Sequence, residues 1–383
     1  MSNKMNDLLH TNVYGTQEEV KQHPIFQTLY KDLYDIDFKD TFFALNLHFT
    51  CPEEILNHSC NKIVLSYHTE HLHHYTELYD IFYNNRDKKF LIISDFSSFN
   101  IEDDEAETDF WPENVTTTQW LSWGEQVEMA KEITGVAEFP NNPTKKISSL
   151  SNRHEYHKAA TTAFIFNNFL SDDIILSWHN SLKDDHDYYL RDDFFIPEQI
   201  QKELFDREFC TNERILFDDD DLEKFNDPLC SINWHNDAYT KCVINVTNES
   251  TFSSIGRLNN EQPIIIPGPF ITEKTIKPLL SGTAFLHVGH PFLLEKLNEL
   301  GINTNFGFPN DYDKEPYEDE RILKLYDTLE FIRNTPTMKI YEDSYDAINH
   351  NLQHIKSGKF LENCKKHNIK NLNTIIDWNS GEN

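Results

Sequence analysis

The chain has 383 residues, 38% of them hydrophobic and 13% aromatic, with 34 Lys and Arg against 64 Asp and Glu for a net charge of -30. That length suits two domains with separate cores, and the apolar content excludes a disordered polymer. The acidity excludes a broad surface that neutralises nucleic-acid phosphates, leaving only a local patch from residues such as Arg86, Lys88 and Lys89.

In chain order, residues 41–49 alternate as a strand, and Lys62–Tyr67 reads as a buried strand followed by a helix over 71–84. Residues 90–95 form a second apolar strand ending in a polar pair, and 120–133 read as a helix. Strands alternating with helices predict a parallel α/β sheet. The Pro-containing stretch 139–146 reads as a linker and places a boundary near 140–146. Beyond it the pattern predicts a helix over 157–170 and a loop-rich acidic stretch to about 228. Strands near 242–247 and 263–267 follow, then helices over 273–280 and 291–300. The expected division is a first domain over 1–145, a second over 146–338, and a helical tail over 339–383 that packs back on the first domain.

The most informative stretch is the junction Phe270-Ile271-Thr272-Glu273-Lys274, which enters an amphipathic helix shortly after Asn248-Glu249-Ser250. Orphan N–H groups and the dipole attract an anion at a helix start, Lys274 adds a point charge, and Glu273 can hold sugar hydroxyls. A second such junction is Ser151-Asn152-Arg153, with Lys158 further on. Either alone reads equally as a capped helix, with Thr272 as N-cap and Glu273 favoured by the dipole. Two of them in one α/β domain point to a shared phosphate site at the carboxyl ends of strands, suited to a nucleotide-sugar.

With these segments the chain resembles the fucosyltransferase-like glycosyltransferases and their viral and phage relatives. The resemblance runs through 147–158, Asn248-Glu249-Ser250, Thr272-Glu273-Lys274, 282–289 and 297–308, and covers roughly 145–335. It implies the α/β GT-B architecture, two Rossmann-like domains facing across a cleft, with the second binding a UDP- or GDP-linked sugar. It also implies no tightly bound cofactor and no metal. By position Arg153 and Lys274, with Lys158 as a weaker candidate, would stabilise the diphosphate, and Thr272 and Glu273 would hold the donor. Asn248, Glu249 and Ser250 would line the donor pocket. Relatives often show Glu-Asn-Ser there, so either Asn248 or Glu249 points inward. The implied acceptors are a glycan, a protein, or hydroxymethylated cytosine (or a sugar already on it) in phage DNA. Trp111, Trp120 and Trp123 are candidates for stacking on sugar or base, with core packing as the alternative.

A base for the acceptor hydroxyl is sought after the first domain's strands, at His68, Glu70 or Asp95, each equally readable as a helix cap. A rival reading takes the histidines of 68–74 with Glu70, and His235 from elsewhere, as the zinc site of a hydrolase. A third is a non-catalytic virion or interaction protein. The Asp-x-Asp pairs in 218–221 and 311–313 read as solvated loop or cap. Six cysteines without a close pair read as free thiols. No apolar run approaches the roughly 18 residues that span a bilayer, and the first residues lack an apolar signal region. The expectation is a protein without membrane contact in the cytoplasm, that of the host for a viral chain.

Overall fold

The computed structural model describes residues 12–45, 47, 53–67, 75–95, 111–140, 142–151, 155–179, 198–204, 214–216, 233–249, 252, 255–258, 262–265, 268–269 and 271–381. The chain forms two compact units. One comprises Met1–Met129, Ile255–Phe270 and Phe360–Asn383, the other Ala130–Ser254 and Ile271–Lys359. Each is an α/β unit around one five-stranded sheet.

Unit one has the strand order β1 (Val13–Thr16), β2 (Thr41–Leu45), β3 (Lys62–Tyr67), β4 (Lys89–Ser94), β5 (Val115–Gln119). β2 to β5 are parallel and β1 is an antiparallel edge. The apolar runs of β3 and β4 are buried, as strands covered on both faces must be. Besides two four-residue helices, the unit's helices in this part of the chain are α1 (Pro24–Leu29), α2 (Tyr75–Asn84) and α3 (Trp123–Thr134), the last continuing into unit two. α3 begins three residues later than the expected 120, because the Trp120 N–H still donates to the Ser94 carbonyl at 2.7 Å and stays with the sheet. Trp120 and Trp123 are core residues, the former donating its indole N–H to the Leu29 carbonyl at 2.8 Å. Trp111 meets Phe82 edge-on with centroids 5.5 Å apart. Residues 255–258 and 262–265, part of which was expected as an ordinary strand, form the antiparallel hairpin β10 (Ile255–Leu258) and β11 (Gln262–Ile265) within this unit.

The C-terminal helix, Lys359–Ser380, belongs to the same unit from Phe360 onward. Ile375 and Trp378 enter a core of Phe26, Tyr30, Phe43, Val64, Leu91 and Trp120. The buried amide of Asn368 takes the Leu121 N–H at 2.7 Å and gives its own N–H to the Leu121 carbonyl at 3.0 Å. Both main-chain groups lie at the turn into α3, where no strand or helix partner reaches them.

In unit two the order is β12 (Ala284–Val288), β9 (Cys242–Asn248), β6 (Lys145–Ser151), β7 (Ile174–His179), β8 (Arg214–Leu216), all parallel except β8 against β7. α4 (Tyr156–Asn168) links β6 to β7, and a short helix α5 (Glu198–Leu204) follows β7. α6 (Glu273–Ser281) leads from β9 towards β12, stopping at Gly282 in the left-handed conformation (φ 71°). α7 (Leu293–Glu299), α8 (Glu318–Asn334) and α9 (Thr337–Lys356) complete the unit. The acidic stretch expected to be loop-rich therefore opens with a strand and contains a helix. Ile174, Ile175, Leu176 and Trp178 supply an apolar run that pairs with β6, and the flanking aspartates obscured it.

Asn368→Leu should lower stability by about 1–3 kcal/mol for each Leu121 group left unpaired, read from urea denaturation. An unchanged midpoint would show that water replaces the amide.

Candidate functional site

The two sheets differ in how the chain crosses them. In unit one the strands follow in sequence order, with no reversal among the described strands. In unit two the connection through α4 carries the chain from β6 to one side, and that through α6 carries it from β9 to the other. β6 and β9 are neighbours, so the carboxyl ends of this pair form a topological switch point, where open α/β sheets bind ligands.

The switch-point strands are polar inside. Ser148, Ser149 and Ser151 on β6 and Asn245 and Asn248 on β9 are all buried. Asn245 donates to Ser148 Oγ at 2.9 Å and Asn248 Nδ2 to Ser149 Oγ at 3.0 Å, which settles a central strand pair that would otherwise be apolar. Two polar atoms at the carboxyl end have no partner among the described residues, Ser151 Oγ, a donor, and Asn248 Oδ1, an acceptor. Their residues are 4% and 1% exposed, so each is a buried group without its hydrogen bond.

Glu249, one residue past β9, joins this end to α6. Its carboxylate takes the Thr272 N–H at 3.3 Å and the hydroxyls of Thr272 at 2.7 Å and Thr275 at 2.8 Å. Thr272 also caps α6 by accepting the Lys274 N–H at 3.2 Å. The start of α6, the anion site suggested by Thr272-Glu273-Lys274, is thus occupied by the protein's own carboxylate. Of the pair Asn248 and Glu249, the amide turns to β6 and the carboxylate to α6, and both are buried.

α4 is the complementary case. Its N-cap position, Glu155, makes no side-chain cap bond, and the first turn holds no acidic residue but does hold Lys158. A cation near the positive end of a helix is unfavourable unless an anion offsets both. Lys158 is buried and pairs with Glu155 at 2.9 Å. Burial pushes its ammonium below the ordinary lysine range, Glu155 opposes this, and the nearby Lys274 adds to it. Lys274, about a third exposed, pairs with Glu273 at 3.1 Å. For Glu273 burial acts upward, but Lys274 and Lys277 outweigh it and hold the carboxyl below its usual value.

Sequence reasoning missed the frame behind these groups. The His157 Nε2–H reaches the Glu249 carbonyl at 2.9 Å, and its ring stacks on Phe252 with centroids 4.9 Å apart. Arg321, fully buried in α8, lies 4.1 Å from the Phe252 ring and donates to the carbonyls of Phe252, Glu315 and Pro316. Burial pushes its guanidinium down to about 10, so it stays charged at neutral pH. His287 on β12 donates from Nε2 to the His290 carbonyl at 3.0 Å. Gly289 is required between them, since a Cβ there would lie 2.5 Å from the His287 ring and 2.9 Å from Glu249 Cβ. His157 lies within a quoted motif, but nothing in sequence distinguishes a histidine that braces the site from one that faces solvent.

The remaining candidates fall elsewhere. His68, Glu70, Arg153 and Ser250, with the rest of the 68–74 cluster, lie outside the described residues. Asp95 is in unit one, fully buried, its carboxylate accepting from the Ser122 N–H and from Ser122 Oγ at 2.7 Å, a cap at the entry to α3. His235 stacks on Trp234 and bonds the Thr134 carbonyl at 2.7 Å. Among the described residues no group of three or more His, Cys, Asp or Glu is placed to hold a metal ion. Of the two readings of Asp313, solvated loop or cap, the structure gives the cap. Asp313 is buried and caps α7 by taking the Leu294 N–H at 3.0 Å, and burial pushes its carboxyl up to about 7. Residues 218–221 lie outside the described residues. No helix among the described residues is long and apolar enough to cross a membrane. No family model, curated protein or solved structure matches this chain.

Burial pushes His157 down to about 3, with Lys158 adding to the effect, and His287 down to about 4. An unfolded histidine takes up its proton near 6.5, so the stability these rings contribute is complete above that pH and is lost as the pH falls towards 3–4. Glu125 in α3 and Asp313, both raised to about 7 by burial, act in the opposite sense, losing stability as the pH rises through 7. His157→Phe isolates one term. Between pH 6.5 and 4.5 the stability difference between variant and wild type should move in the variant's favour by about 1.4 kcal/mol per pH unit. Parallel curves would place the ring in contact with water.

Proposed function

We propose that this protein transfers a sugar from a nucleotide-sugar to an acceptor hydroxyl, as a two-domain glycosyltransferase of the GT-B type with unit two as the donor side. One observation carries the reading. At the switch point, two buried polar atoms without partners among the described residues, Ser151 Oγ and Asn248 Oδ1, end the strands β6 and β9, and the helices that follow these strands bear Lys158 and Lys274 in their first turns. A hydroxyl donor, an amide acceptor and two cations match a phosphate joined to a sugar or ribose bearing hydroxyls.

When the bond from the sugar carbon to the diphosphate oxygen breaks, negative charge grows on the leaving nucleoside diphosphate. Lys158, Lys274 and the N–H groups at the start of α4 would offset it. The ligand displaces Glu155 and Glu273 from their lysines, and the freed Glu273 carboxylate accepts a donor hydroxyl. Glu249 holds α6 rather than the ligand. The acceptor hydroxyl must pass its proton to a base, and Asp95, already engaged by Ser122, is better suited to capping α3. The fucosyltransferase-like resemblance supports the same class and suggests UDP or GDP as the nucleotide and a glycan, protein or modified DNA as acceptor.

Calorimetry with UDP, GDP and their sugars in the presence of a chelator tests the donor site. One nucleotide should bind without metal, and Lys274→Ala should weaken it about tenfold or more, the loss of one charge-assisted hydrogen bond. Absence of binding by every nucleotide, or equal binding by the variant, would refute the reading.

A further inference from the structure

Three described basic residues of unit one lie at the amino end of its sheet. Lys62 opens β3, Lys89 opens β4, and Arg86 lies in the turn between α2 and β4. A cavity of about 360 Å³ there is lined by Arg86, Lys89, Glu113, Asn114, Thr116 and Trp378. Trp378, on the C-terminal helix, is almost fully buried, and its indole N–H has no acceptor among the described residues. Lys62 Nζ lies 5.7 Å from the same ring. Burial, and then the like charge of Lys89, hold the Lys62 ammonium below its ordinary range against the pull of Asp40.

An aromatic pair on α2 leads to Arg86, which lines this cavity. Tyr79 and Tyr83 are near-parallel, with centroids 6.0 Å apart and planes 18° apart, and the Arg86 guanidinium lies 4.1 Å from the Tyr83 ring. Tyr83 is 46% exposed and Arg86 is exposed, so the pair is not needed to fill the core. Stacked rings on a surface that end at cations and an N–H donor without a partner among the described residues combine the two contacts by which unpaired nucleic-acid strands are held, base on aromatic face and phosphate on cation. Asp80, Asp87 and Glu113 stand beside the pair and on the cavity rim, so the cationic area is small. A duplex needs many phosphate contacts and keeps its base faces covered, whereas a single strand offers both groups to so compact a patch.

We propose that this face of unit one binds a single-stranded nucleic acid, with bases on Tyr79 and Tyr83 and one backbone phosphate between Arg86, Lys89 and the Trp378 N–H. The site is distinct from the switch point of unit two, and its test needs no donor, so either reading can fail without the other. Fluorescence anisotropy with a labelled oligothymidylate, and with an abasic oligomer of the same length, reads both contacts. Oligothymidylate should bind the tighter of the two, and Tyr83→Ala should weaken it about tenfold. Arg86→Ala with Lys89→Ala should flatten the dependence of log affinity on log salt by about 0.7 for each phosphate contact removed. These side chains are exposed, so unchanged thermal melting confirms that the variants fold. No binding at low salt, equal binding of the abasic oligomer, or wild-type affinity in the variants would overturn the proposal.

Discussion

Glu249 ties together four elements of unit two. Its carboxylate bonds to Thr272 and Thr275 at the start of α6, its carbonyl accepts from His157 in α4, and its N–H donates to Val288 of β12. It is itself the residue that follows β9. A buried carboxylate without donors costs several kcal/mol, so the surrounding groups are held to the positions that satisfy it. His157 must stay neutral to keep its place between Phe252 and the Glu249 carbonyl, and residue 289 must lack a side chain. Arg321 supports the arrangement from α8 through the ring and carbonyl of Phe252.

This bracing makes the two helix starts chemically unequal. The start of α6 already has its anion, and the residue that supplies it also fixes the helix. The start of α4 has a lysine in its first turn instead of a carboxylate, and the strand before it ends in a buried hydroxyl without a partner among the described residues. In the proposed donor site an incoming phosphate would meet a competitor at one junction and an electrostatic deficit at the other. Lys274 serves the second from across the gap, since it lies near enough to Lys158 to depress that ammonium further. Each lysine is paired with a glutamate close by in sequence, so neither charge is left unbalanced. In the proposed donor site those carboxylates would turn to sugar hydroxyls once phosphate is bound.

The extent to which this could be read from sequence varied with the type of feature. Lys62–Tyr67 stands as a strand with the bounds its apolar run suggested, and α6 begins at Glu273 because Thr272 is a true cap. Two other boundaries moved for local reasons, the Trp120 N–H remaining in the sheet and the run at β7 being obscured by acidic neighbours. The polarity of β6 was visible as Ser148, Ser149 and Ser151, yet its meaning depended on which strand lies beside it. A sequence names the residues that follow strands and does not say which strands are neighbours, so the switch point became visible only with the sheet order. Occupation of the α6 start by Glu249 was equally out of reach, because 23 residues separate the carboxylate from Thr272. Arg321 is farther still, 69 positions along the chain from Phe252, and its own surroundings in sequence are those of an ordinary exposed helix.

The most direct measurement is a structure of the protein with the nucleoside diphosphate that binds it. The account predicts a phosphate within hydrogen-bond reach of Ser151 Oγ and of the Lys158 or Lys274 ammonium, with Glu249 still on Thr272 and Thr275. A nucleotide bound away from the β6 and β9 carboxyl ends, or one that displaces Glu249 from α6, would contradict it.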